Sequence, residues 1–311
     1  MKIIFLGTPD FAIPSLEALI KTEWLEVLEV ITQPDRPANR GKNILPPPVK
    51  IFAEKYQIPV FQTEKISKDL NLIDKIKESN PDYLITCAYG QILNQEVLNI
   101  CPVLNVHASL LPKYRGAAPI NWAILNGETE TGITIMKTEL GLDSGPILIS
   151  KKCSIEENET SEELTKKLSK LGAETLINGL TLLRESKGVF VEQNHTLATK
   201  APMLKKELGH IDWSKKSGEI HNKVRGLRPW PSAYTTFNKN IIKITETRLT
   251  EESNTSHTEQ PGKILRIENE IIIKTGDGHL KICKLQSENK KIMNAKEWAN
   301  GTRIKPGDCF V

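Results

Sequence analysis

Short apolar runs alternate with amphipathic segments along the first half of the chain. Strand-like runs lie at residues 2–6, 26–32, 83–87, 103–106 and 133–136. Between them, Leu16, Leu19 and Ile20 recur three and four residues apart, and helical spacing returns at 49–56 and 72–78. Strands that alternate with helices predict a mostly parallel sheet covered on both faces, with functional groups at the carboxyl ends of its strands.

A longer helix is predicted to begin near residue 160. Thr160 and Glu163 form the T-x-x-E pattern of a capping box, which satisfies two backbone N–H groups at a helix start. Leucines then recur at helical spacing, at Leu164, Leu168, Leu171, Leu176, Leu180 and Leu183. A stripe of this kind is typical of core packing, and we predict that a first domain spans residues 1–188.

From about Lys205 the pattern changes to short strands. Residues 241–249 alternate between apolar and polar side chains, and further strand-like runs lie at 263–267, 271–275 and 280–285. Gly276-Asp277-Gly278, between the last two runs, predicts a hairpin turn. The predicted fold class is therefore α/β, with a Rossmann-like, mostly parallel sheet domain, a linker at 189–207 and a small OB-like β-barrel at 208–311.

The composition indicates an ordinary globular protein, with 39% hydrophobic and 26% charged residues. The apolar run at the start is too short for a signal peptide, and no stretch approaches the ~18 apolar residues of a membrane span. The five cysteines are scattered and form no CxxC pair, which argues against a disulfide framework and against a zinc site. We therefore expect a cytoplasmic protein that holds no metal.

The charge is unevenly distributed along the chain. Residues 205–311 carry 20 Lys and Arg against 13 Asp and Glu, whereas the whole chain has a formal net charge of only +4. A basic C-terminal part on a nearly neutral N-terminal part is consistent with a polyanionic partner. A solvated basic face explains the same count.

The turn after the first strand does not have the sequence of a dinucleotide site. Gly7-Thr8-Pro9 follows that strand, but Pro9 and Ala12 stand where the GxGxxG fingerprint has glycines. Because those glycines let the backbone approach a pyrophosphate, we do not expect a nicotinamide cofactor.

Two polar residues at the end of one predicted strand are candidates for chemistry. Asn105 and His107 are two residues apart, so both side chains project from the same face of the strand. An amide donor beside an imidazole can hold a carbonyl oxygen that becomes an oxyanion, and the imidazole can carry a proton near neutral pH. Taken alone, the pair also fits a polar strand end with a structural histidine.

Four blocks of sequence, however, together resemble the folate-dependent formyltransferase family. They are NVHASLLP at 105–112, YRGAAP at 114–119, GITIM at 132–136 and GLDSGP at 141–146. The family's catalytic asparagine, histidine and aspartate correspond to Asn105, His107 and Asp143. The resemblance implies direct transfer of a formyl group from 10-formyltetrahydrofolate, a consumed co-substrate, to an amine, without a metal.

The same resemblance assigns roles to individual residues. Asn105 and His107 are expected to stabilise the oxyanion, with His107 also moving a proton. Asp143 is expected to orient His107 and to help take the proton that the amine loses. The turn Ser109-Leu110-Leu111-Pro112 resembles the folate-binding turn, and residues 88–93 resemble the neighbouring wall of that pocket. An ordinary core turn is the alternative interpretation of both segments.

Within the family, three further blocks resemble the members that act on the methionyl group of initiator tRNA. They are FLGTPDFA at 5–12, QPDRPANRGK at 33–42 and LRPWPSA at 227–233. The second block lies in a long predicted loop at 33–48, where Arg36, Arg40 and Lys42 are expected to meet tRNA phosphates. A solvated loop without such contacts is the alternative for each of these side chains.

The sequence leaves two other functions open. One is formyl transfer to a nucleotide sugar or a small amine, and the other is tRNA binding by a protein whose folate domain has lost its activity. The complete Asn105, His107 and Asp143 set and the basic C-terminal part favour the enzyme acting on tRNA, which we expect to be a monomer.

Overall fold

A seven-stranded sheet organises the first of two units into which the chain divides. The computed structural model describes residues 1–38, 43–250 and 259–311. The first unit comprises Met1–Pro119, Thr131–Cys153 and Thr165–Pro202. The first nine strands are β1 (Lys2–Gly7), β2 (Glu26–Thr32), β3 (Arg36–Ala38), β4 (Asn43–Leu45), β5 (Val60–Gln62), β6 (Tyr83–Cys87), β7 (Val103–His107), β8 (Glu130–Lys137) and β9 (Ile147–Ser154).

The strand order in this sheet is β5-β2-β1-β6-β7-β8-β9. Strands β5, β2, β1, β6 and β7 pair in parallel, and β8 is antiparallel to β7. The predicted mostly parallel sheet is thus confirmed. From β1 the chain proceeds to β2 on one side and later to β6 on the other, so the carboxyl ends of β1 and β6 flank the crevice where doubly wound sheets bind ligands.

Two strands of the sheet were not predicted. β5 is only three residues long, and β9 alternates buried or half-buried positions with exposed ones along most of its length. A three-residue strand is too short for a periodic signal, and the β9 sequence ILISKKCS does not alternate between apolar and polar side chains.

The first six α-helices along the chain are α1 (Ile13–Lys21), α2 (Pro48–Lys55), α3 (Leu70–Ser79), α4 (Gln95–Leu98), α5 (Pro119–Leu125) and α6 (Ser161–Arg184).

The predicted helix start at residue 160 has the expected bonds. The Thr160 N–H donates to Glu163 Oε2 at 2.9 Å, and the Glu163 N–H donates back to Thr160 Oγ1 at 3.3 Å. The leucine stripe is buried at Leu164, Leu168, Leu176 and Leu180, and half-buried at Leu171 and Leu183. In the part of the chain that the structure describes, no helix combines the length and the apolar character needed to cross a membrane.

The segment predicted to be a loop at 33–48 instead contains a two-stranded antiparallel ribbon, β3–β4. Its strands are three residues long, too short for a periodic pattern, and prolines are compatible with extended edge strands. Asp35 lies at the base of the ribbon, where Gln62 Nε2 and Lys50 Nζ donate to its carboxylate at 2.8 and 3.0 Å. These hydrogen bonds lower the pKa of Asp35.

The second unit comprises Ile120–Glu130, Ser154–Leu164 and Met203–Val311. Its main sheet is antiparallel, with strands in the order β10-β11-β14-β13-β12. Its elements are α7 (Ser217–Gly226), β10 (Ala233–Phe237), β11 (Asn240–Leu249), β12 (Ile264–Ile267), β13 (Ile271–Lys274), β14 (His279–Ser287), β15 (Met293–Asn294) and α8 (Ala295–Thr302).

The last residues of the chain join the two edges of this sheet. The N–H and C=O of Val311 pair with Thr236 of β10 at 3.0 and 2.8 Å, and the Ile264 N–H of β12 donates to Asp308 O at 2.8 Å. The sheet is thereby closed around a core that includes stacked Trp213 and Phe310 rings. The predicted class, with a small β-barrel after a parallel-rich sheet, is confirmed.

Candidate active site

Strand β7 carries Asn105 and His107 at its carboxyl end. Thr86 of the neighbouring strand β6 is the register partner of Asn105, so the two side chains lie on the same face of the sheet. The Thr86 hydroxyl is 3.0 Å from Asn105 Oδ1, and a carboxamide oxygen can only accept this hydrogen bond. The Asp143 carboxylate oxygen Oδ1, which accepts hydrogen bonds, lies 3.4 Å from the other end of the amide, so that end is the Nδ2 donor.

His107 is only 5% exposed. Its Nε2 lies 3.0 Å from the carbonyl oxygen of Tyr114, and because a carbonyl only accepts, Nε2 carries a hydrogen. Its Nδ1 lies 3.7 Å from Asp143 Oδ2, which is longer than a hydrogen bond. In the neutral ring, the Nδ1 lone pair is therefore the group that can take up a proton.

Asp143 reaches the same place from the turn between β8 and β9. Its backbone has φ of 47°, in the left-handed region, and its side chain is 14% exposed. Oδ2 accepts from the Gly116 N–H at 2.8 Å, and Oδ1 lies 3.4 Å from Asn105 Nδ2. The structure thus brings together the amide, imidazole and carboxylate that the resemblance had grouped.

The loop at 114–116 contacts two of these groups through its backbone. Tyr114 supplies the carbonyl for His107, and Gly116 supplies the N–H for Asp143. Both residues have positive φ, at 63° and 125°. A Cβ on Gly116 would also lie 2.6 Å from the carbonyl oxygen of Ala201, so only glycine fits there.

A distant segment, residues 191–201, holds this loop in place; we call it the strap. The Arg115 N–H donates to Thr199 O at 2.9 Å, and the Ala201 N–H donates to Arg115 O at 2.7 Å. The Tyr114 N–H donates to Thr199 Oγ1 at 2.8 Å. Sequence reasoning missed these residues, because neither periodicity nor spacing relates them to the loop.

The predicted folate-binding turn is tightly bonded within itself. Ser109 is fully buried, and its hydroxyl donates to the carbonyl oxygen of Lys113 at 2.6 Å. The Leu111 N–H donates to Thr134 Oγ1 at 3.2 Å. Leu111 is buried, whereas Leu110 and Pro112 are half-buried. The surface that this turn presents is therefore mainly apolar.

The segment at 88–93 follows β6 and lies beside the turns after β1 and β2. The carbonyl of Tyr89 accepts from Thr8 Oγ1 at 3.1 Å and from Gln33 Nε2 at 2.9 Å. Ala88, Gly90 and Ile92 are exposed, Ile92 by 80%. An apolar rim thus lies at the carboxyl ends of the strands, where the topology predicts a ligand crevice.

One of the three cations predicted to contact nucleic acid lies in the part of the chain that the structure describes. Arg36 lies on β3 and pairs with Glu64, with more than half of each side chain exposed. Exposed ion pairs contribute little to stability, so the guanidinium can exchange this carboxylate for a phosphate. Arg40 and Lys42 lie outside the described residues.

Comparison with known families shows two matches that together extend over most of the chain. Residues 1–180 match the family described as formyl transferase. Residues 203–303 match the C-terminal domain of formyl transferases.

Similar proteins include full-length relatives. A methionyl-tRNA formyltransferase of Clostridioides difficile is 46% identical over 310 residues, covering 99% of each chain. One of Thermodesulfovibrio yellowstonii is also 46% identical, covering 99% of this chain and 98% of its own. Among solved structures, an N-formyltransferase of Helicobacter canadensis with folinic acid and dTDP-3-aminofucose has a TM-score of 0.69 at 21% identity, covering 92% and 99% of the two chains.

Proposed function

The chain belongs to the formyl transferase family, and we propose that it formylates the α-amino group of methionyl initiator tRNA with 10-formyltetrahydrofolate. The product, N-formylmethionyl-tRNA, is used to initiate translation in the cytoplasm. The observation that carries the chemistry is the convergence of Asn105, His107 and Asp143. The choice of acceptor rests on the full-length similarity to methionyl-tRNA formyltransferases.

The reaction joins the amine nitrogen to the formyl carbon and breaks the bond from that carbon to the folate nitrogen. The amine attacks in its neutral form, which is abundant near neutral pH because an α-amino group has a pKa near ~7.7. Attack gives a tetrahedral intermediate with a negative oxygen and a positive nitrogen. The amine then loses a proton, and the departing folate nitrogen gains one.

The three side chains match these needs. Asn105 Nδ2, whose amide is held between Thr86 and Asp143, donates to the negative oxygen. His107 Nδ1 takes the amine proton, because Nε2–H is already bound to Tyr114. The resulting imidazolium helps to hold the oxygen and delivers the proton to the folate nitrogen. Asp143, at 3.7 Å, orients the ring and stabilises its positive charge.

The folate co-substrate is assigned to the crevice beside β6 and β7. Ser109, Leu110, Leu111 and Pro112 form one wall, and residues 88–93 form the other. The buried hydroxyl of Ser109 donates to the Lys113 carbonyl, which leaves an apolar surface suited to a flat ring. Solved structures of the same fold from Helicobacter canadensis and Aquifex aeolicus hold folinic acid and tetrahydrofolic acid, which is consistent with this assignment.

The tRNA is assigned to two parts of the chain. Residues 208–311 form the tRNA-binding domain, joined by a linker at 189–207 to the catalytic domain at 1–188. Residues 205–311 carry 20 basic against 13 acidic side chains, which favours a phosphate backbone. Arg36, Arg40 and Lys42 contact the acceptor end. The enzyme acts as a monomer and needs no metal.

Incubation with labelled 10-formyltetrahydrofolate and charged tRNA tests the proposal. Initiator methionyl-tRNA should become blocked at its amino group much faster than elongator methionyl-tRNA. Amino sugar nucleotides and free methionine serve as competing acceptors. Faster formylation of an amino sugar nucleotide would overturn the choice of acceptor, and failure to formylate any amine would overturn the enzyme assignment.

A further inference from the structure

A buried glutamine in the strap is bonded to both loops that shape the active site. Gln193 is 5% exposed. Its Nε2 donates to the carbonyl of Asp143 at 2.9 Å and to the carbonyl of Gly145 at 2.7 Å. Its Oε1 accepts from Arg115 Nε at 3.1 Å and from the terminal nitrogen Nη2 of Arg115 at 2.7 Å. One carboxamide therefore joins the Asp143 turn to the Arg115 loop.

The donor and acceptor pattern of this position suits glutamine specifically. Two carbonyls require two N–H donors, and a guanidinium edge requires an acceptor with two lone pairs. All four bonds of the Gln193 amide are made. A glutamate would keep the acceptor for Arg115 but would place an oxygen against two carbonyl oxygens.

The Asp143 backbone is held by contacts outside its own turn. Its φ of 47° lies in the left-handed region, which aspartate tolerates better than most residues with a Cβ but which is still uncommon. The carboxylate at the end of this short side chain lies 3.7 Å from His107 Nδ1. A small rotation of the turn would therefore change the position of the carboxylate relative to the imidazole.

We propose that Gln193 is a positioning residue for formyl transfer, which acts by holding the Asp143 turn against the Arg115 loop. The inference rests on the proposed function, because it assigns Gln193 to the reaction through Asp143. Gln193 itself contacts no reacting atom in this scheme.

Gln193→Glu tests the proposal, because it changes two donors into an acceptor while keeping the side chain's size and its contact with Arg115. We expect kcat to fall about 10- to 100-fold, as expected for a small displacement of a catalytic group. KM for tRNA and for folate should change by less than about threefold. Gln193→Asn, which keeps the amide but shortens the side chain, should give a smaller loss of kcat.

Asn194→Ala is the matched control in the strap. The Asn194 side chain caps its own short turn, accepting from the Thr196 N–H at 3.1 Å and from the Thr196 hydroxyl at 2.7 Å. The kcat of Asn194→Ala should stay near the wild-type value. A loss equal to that of Gln193→Glu would show that any disturbance of the strap suffices, and would overturn the specific role of Gln193.

A double-mutant cycle separates positioning from general damage. In an Asp143→Asn background, Gln193→Glu should lower kcat by no more than about twofold further. The Asp143 carboxylate is already absent in that background, so its displacement can cost nothing more. If the double variant loses kcat by the product of the two single losses, the proposal is overturned.

The imidazole NMR signals of His107 give a readout without any substrate. Gln193→Glu and Asp143→Asn should shift these signals in the same direction, whereas Asn194→Ala should leave them in place. Unshifted His107 signals in Gln193→Glu would overturn the positioning role whatever the acceptor is. If the wild-type protein does not formylate methionyl-tRNA but the His107 signals shift in the same direction in Gln193→Glu and Asp143→Asn, the proposed function is overturned and the positioning role of Gln193 stands.

Discussion

The two units each bury a histidine, and the two residues are used differently. In the C-terminal unit, His221 is 3% exposed, with Nδ1 at 2.9 Å from Thr247 Oγ1 and Nε2 at 3.1 Å from Glu157 O. Burial lowers its pKa. In the N-terminal unit, His107 has a hydrogen bond at Nε2, but its Nδ1 is 3.7 Å from a carboxylate. A buried imidazole is therefore a candidate for chemistry when one nitrogen remains available to a reactant.

The environment of His221 supports a structural role. Arg225 beside it donates to the carbonyl oxygens of Glu156 and Glu159 at 3.2 and 2.9 Å. These contacts tie helix α7 to the segment at 154–164 within the same unit. The polar groups around His107 instead come from its own strand β7, from the loop at 114–116 and from the turn that carries Asp143. The comparison gives a series of predictions.

The largest effect is expected for His107→Ala. Removing the group that moves the proton should lower kcat for formyl transfer by about 10²- to 10⁴-fold. The substitution also removes the hydrogen bond to the Tyr114 carbonyl, so it should lower the free energy of unfolding by about 1–3 kcal/mol, and the rate is therefore measured on folded protein. Asn105→Ala should cost about 10²- to 10³-fold, as for loss of one oxyanion donor. Rapid-quench measurement of the chemical step checks both, and a wild-type rate would remove the substituted residue from the mechanism.

His221→Ala should lower stability without the loss of rate that is expected for His107→Ala. The substitution leaves the buried Thr247 hydroxyl and the Glu157 carbonyl without their partner, which should lower the free energy of unfolding by about 1–3 kcal/mol. The value of kcat at saturating tRNA should remain within about twofold of the wild-type value. Urea unfolding and steady-state kinetics measure the two quantities. A large loss of kcat in a folded variant would contradict the comparison.

A smaller effect is expected for the cations proposed to contact tRNA phosphates. Arg40→Ala should weaken tRNA binding and reduce the slope of log K against log salt by about one. Arg36→Ala should have less effect, because Glu64 already pairs with Arg36. Lys21→Ala on α1, whose side chain pairs with Glu17, is the matched control. Filter binding over a range of salt concentrations tests this, and an unchanged slope for Arg40→Ala would count against a phosphate contact.

The smallest effect is a pH dependence of stability from His221. Because its folded-state pKa lies below the ordinary value of 6.5, the unfolded chain binds a proton first as the pH falls. This contribution to stability is present above pH 6.5 and is lost as the pH falls from 6.5 toward the folded-state pKa. Urea unfolding on both sides of about pH 6.5 should therefore show a shallower loss in His221→Ala than in wild type. Equal losses would contradict the prediction.

Sequence reasoning reached the parts of the molecule that depend on local periodicity. The strands at 26–32 and 83–87 have the predicted bounds, because each is an apolar run in the middle of a sheet. The same-face spacing of Asn105 and His107 is also a local property of a strand. Asp143 needed the family resemblance, since an aspartate in a glycine-rich turn usually serves the turn alone.

Other parts depend on contacts between distant segments and gave no signal. The closing segment at 308–311, Asp-Cys-Phe-Val, is too short for a periodic pattern, and its role depends on the two strands that it joins. Gln193 lies in a segment without periodicity, and its partners are 50 and 78 residues away. The ribbon β3–β4 was missed because three-residue strands contain too few positions to reveal an alternating pattern.

The strap also bears on how an active molecule is made. Tyr114 and Thr199 bond across 85 residues, so this contact requires the chain as far as residue 199. A nascent chain that has emerged only to residue 188 can pair β1, β2, β6 and β7, but its Arg115 loop lacks Thr199 and Ala201. Catalytic competence should therefore arise after the parallel sheet has formed, when residue 201 has left the ribosome.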